Sequence, residues 1–406
     1  MKNIELLSPA GDFEKLKVAF AYGADAVYMG GKTLGMRARA KNFDTDELEQ
    51  SIKYAHNLGK KVYITANIFA HNEDLDGAKA YFKDLERMGA DALIISDLGL
   101  FAIAKKATPN MEMHISTQAN NTNYASVNFW HSLGANRVVL ARELSINEIS
   151  QISAKANNIE LEAFVHGSMC MAYSGRCLLS NYMNNRDSNR GECSQPCRWS
   201  FGILEKKTGQ VYDIEEDGTD GSQIFNSKDL CMVAHLPDVI NAGVTSLKIE
   251  GRMKTAYYVA TVTKTYRDAL DDYAKDPALY QSKIPQYQTA LEKIKHRDYT
   301  TGFFYGPMTN EDHIYNGECR SKMQDFLAIV EGYDPATGFC NIEQRNKFEV
   351  GDTVEIFRAN GDSTVQVVEE MYDEKGQAIM SAPHPTQKIR LKVDTVVERY
   401  DILRKV

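Results

Sequence analysis

The sequence predicts an α/β fold, a (β/α)₈ TIM-like barrel with a cysteine-rich insertion, followed by a small C-terminal antiparallel β-barrel. Apolar runs alternate with amphipathic helical segments, and glycine repeatedly stands between the two, which is typical of parallel strand–helix units. After about residue 320 the pattern changes to short alternating runs, which predicts the second barrel. An open doubly wound sheet is the alternative for the first part, but the glycine-rich dinucleotide fingerprint is missing.

Eight apolar runs are predicted to form the strands of the first barrel. They are Glu5–Ser8, Ala26–Gly30, Lys61–Asn67, Ala92–Asp97, Glu112–Thr117, Arg137–Ala141, Glu160–His166 and Ser246–Glu250. Five of these strands follow a glycine that can end the preceding helix in a left-handed conformation at low cost. These glycines are Gly23, Gly59, Gly89, Gly134 and Gly243.

An insertion at about residues 167–226 interrupts the seventh unit and contains four of the seven cysteines. Long loops in compact domains are usually functional or disordered, and the cysteines favour a function. Within the insertion we expect short strands at 201–205 and 211–215, and after it a helix from about 227 to 241.

The remainder of the chain is expected to form two helices, 254–274 and 287–294, and then a second domain. We place the boundary near residue 320, so that residues 1–320 form the barrel with its trailing helices and residues 321–406 the small β-barrel. The strands expected in this second domain are 326–331, 339–343, 352–357, 364–371 and 395–403.

Composition excludes several classes of protein. Hydrophobic residues make up 43% and charged residues 25% of the chain, as in ordinary globular proteins. No run of 18 apolar residues could span a membrane, and the N-terminus lacks the apolar segment of a signal peptide, so we expect a cytoplasmic protein without membrane contacts. The net charge of −8 provides no general attraction for nucleic acid, which would require a local basic patch.

The cysteines indicate a metal site. An odd number argues against a disulfide framework, and Cys170, Cys177, Cys193 and Cys197 lie close together in a glycine-containing segment. Soft, anionic thiolates hold either zinc or an iron–sulfur cluster. The spacing lacks the CxxC pairs of structural zinc sites, which favours iron–sulfur and leaves zinc as the alternative.

Other cysteines are interpreted separately. Cys231 is expected to begin the helix after the insertion, and it competes with Cys197 for the fourth ligand position. Cys319 and Cys340 stand alone in the sequence, and we interpret them as small buried side chains.

Charged and polar residues at the ends of the predicted strands mark an active site, because the active sites of such barrels lie at the carboxyl ends of the strands. Glu143, His166 and Glu250 could move protons once burial adjusts their pKa values. Cationic side chains there suit an anionic ligand, and arginine forks suit carboxylates. The residues predicted to bind substrate are Arg39, Gln118, Arg142, Lys248 and Arg252. The alternative is that these charges form structural ion pairs around the mouth.

A local mixture of basic and aromatic residues lies in the cysteine-rich insertion. Stacking on aromatic rings and contacts with cations are what an unstacked nucleotide needs, although a solvated loop is the alternative. The residues are Arg176, Arg186, Arg190, Arg198, Tyr173, Tyr182 and Trp199.

Several segments resemble the signature of the peptidase U32 family. The longest is Glu162–Ser180, with the sequence EAFVHGSMCMAYSGRCLLS, and the others are Glu5–Gly11, Asn226–Leu230 and Ser246–Arg252. The resemblance covers almost the whole chain. The family was named for collagenase-like proteolysis, but its better-understood members hydroxylate tRNA or rRNA and carry iron–sulfur clusters.

The resemblance implies a tRNA-modifying enzyme. A chain of this length looks most like the members that form 5-hydroxyuridine at the wobble position of tRNA, with prephenate as co-substrate and a 4Fe–4S cluster. In the family the cysteines that correspond to Cys170, Cys177 and Cys193 are ligands, and the fourth corresponds to Cys197 or Cys231. Prephenate has two carboxylates, which would fit the arginines at the barrel mouth.

A peptidase is the alternative function. The sequence shows no GxSxG elbow and no HExxH helix, which are common sources of a nucleophile or a metal-bound water. A pair of Cys170 and His166 is conceivable but would use a thiol that is better explained as a metal ligand. A binding module without chemistry is disfavoured by the charged mouth, and a homo-oligomer remains open.

Overall fold

A computed structural model of the chain describes residues 4–35, 42–156, 158–170, 172–199, 202–204, 206–213, 227–308 and 325–406. Arg39, Cys319 and the boundary expected near residue 320 lie outside the described residues.

The first part of the chain forms a closed parallel barrel, which confirms the predicted fold class. Its strands and their neighbours are β1 Glu5–Pro9, β2 Ala26–Met29, β3 Lys61–Ala66, β4 Ala92–Ile95, β5 Glu112–Ile115, β6 Arg137–Val139, β7 Glu160–Ser168, β8 Gly202–Leu204, β9 Val211–Asp213, β10 Asp229–Cys231, β11 Ser246–Ile249 and β12 Tyr299–Thr300. Strands β1 to β7 lie side by side in parallel, and β11 pairs with both β1 and β7 to close the ring. Strands β8 and β9 form a separate hairpin.

Helices follow the barrel strands, as alternating apolar and amphipathic segments predict. They are α1 Phe13–Ala21, α2 Thr45–Asn57, α3 Asn72–Leu75, α4 Ala78–Met88, α5 Leu98–Ala107, α6 Tyr124–Ser132, α7 Ile146–Lys155, α8 Leu179–Asn184, α9 Leu236–Asn241, α10 Ala256–Lys275 and α11 Pro277–Glu292. The five glycines predicted to end helices have φ between 67° and 100°, in the left-handed region. None of the helices among the described residues is long and apolar enough to cross a membrane.

The segment after the insertion differs from the helix expected over 227–241. Residues 229–231 form β10, which pairs antiparallel with the end of β7, and the helix α9 begins only at Leu236. The carboxylate of Asp229 accepts hydrogen bonds from the backbone and the guanidinium of Arg297, at 3.2 and 2.7 Å. Because these partners lie about 70 residues away in the chain, helical periodicity could not reveal them. Cys231 therefore lies in a strand rather than at a helix start.

The C-terminal part forms an antiparallel sheet that curves into a half-barrel. Its strands are β13 Phe326–Asp334, β14 Phe339–Gln344, β15 Phe348–Glu349, β16 Thr353–Phe357, β17 Thr364–Val367, β18 Met371–Tyr372, β19 Ser381–Ala382, β20 Lys388–Lys392 and β21 Ile402–Lys405. Seven of them pair in the order β17-β16-β21-β13-β14-β20-β18 around a core of its own. Strand β20 was not predicted from the sequence. Of the strand predicted over 395–403, only the last two residues belong to a strand, β21.

The second trailing helix also starts earlier than expected, at Pro277 instead of Tyr287. Asp276 caps it through the backbone N–H of Ala278, and proline occupies the first helical position. The capping aspartate and the proline are local signals that are separate from apolar periodicity, and they explain the earlier start.

The two parts of the chain meet in a contact that combines aromatic rings with buried charge. Tyr22, the C-cap residue of α1, stacks on Phe357, with ring centroids 5.3 Å apart, and its hydroxyl donates to the Phe357 carbonyl at 2.9 Å. Arg404 of β21 holds Glu355 in a two-point ion pair, at 3.0 and 2.7 Å, and donates to the hydroxyl of Tyr257 in α10. Helix α10 and the half-barrel are therefore joined by the Arg404 guanidinium.

Replacing Arg404 should destabilise the whole chain. Among the described residues, Arg404→Met leaves Lys293 as the one remaining ion-pair partner of the buried Glu355 carboxylate, so we expect a loss of about 3 kcal/mol in the free energy of unfolding. The control is the neighbouring Lys405→Met, which removes a half-exposed pair with Asp352 and should cost less than about 1 kcal/mol. Urea unfolding measures both, and equal losses would contradict the structural role of Arg404.

Candidate active site

The segment of residues 170–199, called here the cysteine segment, lies against the mouth of the barrel, where the strands end. The Arg176 guanidinium stacks over the Phe69 ring at 4.9 Å, and the Phe69 N–H donates to the Asn189 carbonyl at 3.4 Å. Gly175 approaches so closely that an added Cβ would lie 2.8 Å from the Phe69 ring and 3.3 Å from Gln118. The cysteine segment therefore covers the ends of β3 and β5.

An ion pair fastens the same segment to the barrel. Arg190 binds both carboxylate oxygens of Asp74 in α3, at 2.6 and 2.8 Å, and it lies 3.5 Å from Glu73. This bond holds the pKa of Asp74 below its usual range. Arg190, which we expected to contact RNA, is thus occupied in holding the segment in place.

Several aromatic and apolar side chains of the cysteine segment face outward. Tyr182 is 88% exposed, Tyr173 47% and Trp199 44%, and Leu178 and Met183 are exposed beside them. Arg176 is also exposed, and Arg186 is half-buried. Large exposed apolar groups in one short segment are unusual on a folded surface and mark an interaction site.

The thiols of the cysteine segment suit a soft metal by their chemistry. Cys170, Cys177, Cys193 and Cys197 are free thiols that are exposed or half-buried. Within the described residues, however, no three His, Cys, Asp or Glu side chains are grouped so that they could hold a metal ion. The donor set fits an iron–sulfur cluster or zinc by its chemistry, and we derive no chemical step through such a group.

Cys231 and His166 lie opposite each other in the pairing of β10 with β7. The His166 ring is buried among Tyr258, Tyr266 and Tyr299, with centroids 5.5–6.0 Å away. Burial lowers the pKa of His166 to about 3 and raises the pKa of the Cys231 thiol to about 11. At neutral pH both side chains are therefore uncharged.

The two glutamates predicted to move protons lie near the mouth. The backbone of Glu250 donates to the His166 carbonyl at 2.9 Å and accepts from the Tyr258 hydroxyl at 3.0 Å. Glu143 is half-buried, and this burial raises the pKa of its carboxyl. A raised pKa is suitable for proton transfer, so the role predicted for Glu143 stays a prediction with a physical basis.

Lys248 points into the barrel and is engaged in an ion pair. Its ammonium lies 2.6 Å from Glu162, whose carboxylate also accepts from Arg137 at 3.1 Å. Burial alone would raise the pKa of Glu162, but the charges of Lys248 and Arg137 outweigh it and lower the pKa to about 2. This matches the alternative of structural ion pairs for Lys248, whose role in binding substrate stays a prediction.

Of the three arginines predicted to bind substrate, the two that are described, Arg142 and Arg252, occupy different parts of the mouth. Arg142 stacks on the Phe164 ring at 3.9 Å and donates to the Ser168 carbonyl at 2.8 Å. Arg252 is 5% exposed and donates to Thr65 at 3.2 Å and to Asn42 at 2.9 Å. Both are held by rigid strands, which preorganises them for an anion.

Gly30 makes room for the Arg252 guanidinium. An added Cβ at this position would lie 2.4 Å from one of its terminal nitrogens. A side chain at position 30, directly after β2, would therefore displace the Arg252 guanidinium from its place beside Thr65.

Sequence reasoning missed the partners of these groups. Glu162 and Arg137 were read only as strand residues, although a charge at an alternate position of an apolar strand signals a buried ion pair. Asp74 and Asn121 were not singled out, and nothing in their local sequence marks them. Gln118, which was predicted to bind substrate, is 6% exposed and lies under the cysteine segment.

Comparisons with known proteins agree with this architecture. The family model described as "Peptidase family U32" matches residues 11–314, and "Peptidase family U32 C-terminal domain" matches residues 322–404. The chain is 40% identical over 404 residues to "tRNA hydroxylation protein P1" of Bacillus subtilis, covering 100% of this chain and 95% of that protein.

Two further relatives carry different names. "tRNA hydroxylation protein P" of Escherichia coli is 38% identical over 437 residues, covering 97% of this chain and 94% of that protein. "Collagenase" of Porphyromonas gingivalis is 31% identical over 385 residues, covering 91% of this chain and 90% of that protein.

Removing the charge of Glu162 should weaken the barrel. Glu162→Gln leaves Lys248 and Arg137 buried without this carboxylate, so the free energy of unfolding should fall by roughly 3–5 kcal/mol. Glu160→Gln is the matched control, because Glu160 binds the same Arg137 at 2.6 Å but is 54% exposed, and it should cost less than about 1 kcal/mol. Equal losses in urea unfolding would refute the special role of Glu162.

The lowered pKa of Glu162 predicts that the free energy of unfolding depends on pH. The pKa of Glu162 is lowered to about 2 in the folded chain, so its stabilising effect is present above its unfolded pKa of about 4.3 and is lost as pH falls toward 2. The lost contribution amounts to about 3 kcal/mol. Between pH 5 and about 2, the free energy of unfolding should therefore fall more steeply with decreasing pH for the wild type than for Glu162→Gln. The same pH dependence in both proteins would contradict the lowered pKa.

Proposed function

The chain belongs to peptidase family U32, and we propose that it is a tRNA-modifying enzyme that hydroxylates uridine at the wobble position. The observation that carries this proposal is similarity along the entire chain to two proteins named for tRNA hydroxylation, at 40% and 38% identity. Since both the barrel and the C-terminal half-barrel are included, the similarity extends to the mouth and its cover.

The outer face of the cysteine segment supports RNA as the substrate. Tyr173, Tyr182 and Trp199 are exposed there, next to the exposed Arg176. Bases of single-stranded RNA stack on such rings, while arginine binds the phosphates, and neither contact requires a basic protein overall. A chain with a net charge of −8 can therefore bind an anticodon loop through this local surface.

The arginines at the mouth support a small anionic co-substrate, for which we propose prephenate. Arg142 and Arg252 are each held by hydrogen bonds to the barrel, and a carboxylate that meets either guanidinium makes charge-assisted hydrogen bonds. Glu143, with its raised pKa, is placed to hold a proton at the same rim. A reaction on tRNA would place the protein in the cytoplasm.

The thiols support a 4Fe–4S cluster, with zinc as the alternative metal. Cys170, Cys177 and Cys193 would hold it, together with Cys197 or Cys231. When bound, such a cluster supplies one-electron chemistry. The thiols on the cover would keep the cluster beside the mouth of the barrel.

Peptide hydrolysis is the second candidate, favoured by the similarity to the protein named collagenase. A cysteine peptidase needs a thiolate activated by a histidine. In this chain burial holds His166 neutral and raises the pKa of Cys231, which is the opposite of an activated pair. The Cys231–His166 pair therefore lacks the activated thiolate that a cysteine peptidase needs.

The proposed activity can be tested in a strain from which the gene has been deleted. Nucleoside mass spectrometry of its tRNA should lose 5-hydroxyuridine and its derivatives, and the wild-type gene should restore them. Arg252→Lys should fail to restore them, since lysine cannot hold Thr65, Asn42 and an anion at once. Arg87→Lys, a change at an exposed arginine on α4, is the control and should restore them fully. Unchanged tRNA in the deletion strain would refute the proposal.

Iron content tests the proposed cluster. Protein purified without oxygen should contain about four irons per chain and absorb visible light, as expected for a 4Fe–4S cluster. Cys170→Ala, Cys177→Ala and Cys193→Ala should lose the iron, whereas Cys340→Ala, at a buried thiol of the half-barrel, should keep it. Of the two single variants Cys197→Ala and Cys231→Ala, we expect one to lose the iron and the other to keep it. A colourless protein with one zinc would overturn the cluster.

A further inference from the structure

A cleft of about 180 Å³ lies where helix α1 meets the half-barrel. Its charged lining residues are Glu14 and Lys17 of α1, Glu331 of β13 and Arg399, which precedes β21. Two cations and two carboxylates from both parts of the chain therefore share one cavity. What this cavity can bind depends on which of the four charges already have partners.

The two carboxylates of the cleft are engaged by cations of the half-barrel that do not line it. Glu14 accepts a hydrogen bond from Arg345, and Glu331 lies 2.5 Å from Lys388. Arg345 and Lys388 also share Glu343, each at 2.6 Å. Glu14 and Glu331 therefore belong to an ion-pair network that extends away from the two cations of the cleft.

The two cations of the cleft contact aromatic rings instead of carboxylates. The Lys17 ammonium lies 3.8 Å from the centre of the Phe13 ring, and the Arg399 guanidinium lies 5.2 Å from that of Tyr400. In the part of the chain that the structure describes, neither cation forms an ion pair. Burial and the positive charge of Arg399 lower the pKa of Lys17, and the nearby Glu14 offsets them only in part. An anion between the two cations would relieve this repulsion.

The backbone of Tyr400 gives a second, independent indication of a site. Its φ is 79°, in the left-handed region that a residue with a bulky side chain rarely adopts. The conformation is held by its N–H, which donates to the Val330 carbonyl at 2.8 Å, and by its carbonyl, which accepts from the Tyr22 hydroxyl at 3.2 Å. Strained residues of this kind cluster at active sites and ligand clamps, and this one brings the neighbouring Arg399 to the cleft.

The cleft also lies close to the mouth of the barrel. Gly11 precedes α1, and an added Cβ there would lie 2.1 Å from the carbonyl oxygen of the mouth residue Arg252. With a rise of about 1.5 Å per residue, Lys17 stands about 8 Å along the helix from the N-cap Asp12. An RNA whose target nucleotide enters the mouth continues over the neighbouring surface, so its backbone can reach the cleft.

We propose that Lys17 and Arg399 bind a phosphate group of the RNA backbone in this cleft. The inference rests on the proposed RNA substrate and adds a contact that lies outside the mouth and outside the cysteine segment. Phosphate oxygens accept charge-assisted hydrogen bonds from both side chains, from lysine as a point charge and from arginine as a fork. Since a phosphate contact reads no base, it positions the RNA without selecting its sequence.

The salt dependence of tRNA binding tests this contact. Arg399→Gln and Lys17→Gln should each weaken the binding of a tRNA transcript at low salt by about 3- to 10-fold, because one counterion fewer is released. The double variant should reduce the slope of log affinity against log salt concentration by about 0.7–0.9, the value for one phosphate. Lys53→Gln, at an exposed cation of the neighbouring α2 that is paired with Glu49, is the control and should leave the slope unchanged.

Conservative replacement and a change of RNA give further readouts. Arg399→Lys keeps the charge and should preserve the slope, and the losses should be equal for tRNAs with uridine or cytidine at the target position. An unchanged slope, a reduction by two phosphates in the double variant, or a loss confined to one of the two tRNAs would overturn the inference. Arg399 is exposed, so Arg399→Gln provides the test even if Lys17→Gln fails to fold.

Inorganic phosphate distinguishes the RNA backbone from a small phosphorylated ligand. Calorimetric titration of the wild type and the double variant measures its binding. If only the wild type binds phosphate while both proteins bind tRNA equally, the cleft takes a free anion and the inference fails. If the two proteins bind tRNA equally and neither binds phosphate, the inference also fails, and the proposed function stands. If the wild type binds no tRNA at all, the proposed RNA substrate fails together with the inference.

Discussion

The carboxylate of Glu162 holds the barrel closed, and the rest of the structure depends on it. It stands on β7 between Lys248 of β11 and Arg137 of β6, and the Ser246 hydroxyl links it to Glu5 of β1 at 3.1 and 2.8 Å. Four strands thus meet at one buried negative charge, at the point where the first and last strands join. Buried ion pairs are costly to desolvate, so this one stabilises the barrel only because each group has several partners.

This closure determines what the mouth can offer. Because the Lys248 ammonium is drawn down to Glu162, the predicted substrate-binding cations left at the rim, among the described residues, are Arg142 and Arg252, which are held by stacking and by hydrogen bonds to other strands. The register of β7 with β11 shifts where Phe164 and His166 stand, and the His166 ring lies among tyrosines of α10 and β12. The rim therefore combines fixed cations with uncharged hydrogen-bonding groups.

The fold could be predicted from the sequence because strand–helix alternation and glycine helix ends are local signals. The eight barrel strands were found within one or two residues, and so was the hairpin in the insertion. The missed elements depend on distant partners: β10 exists because β7 and Arg297 bind it, and β20, with the alternating sequence KIRLK, pairs with β14. Likewise, the sequence located charges at strand ends but could not show that Lys248 turns toward Glu162 or Arg190 toward Asp74.

The cover and the barrel divide the work of recognition between two kinds of surface. Outside, the cysteine segment presents exposed rings and an arginine, which suit any unstacked loop and carry little sequence information. Beneath it, Arg142 and Arg252 at the strand ends are held by ring stacking and by hydrogen bonds. The Arg190–Asp74 bond fixes the distance between the two surfaces. The outer surface therefore offers stacking that is independent of sequence, whereas the mouth offers cations held in place by their neighbours, which suit a small anionic group.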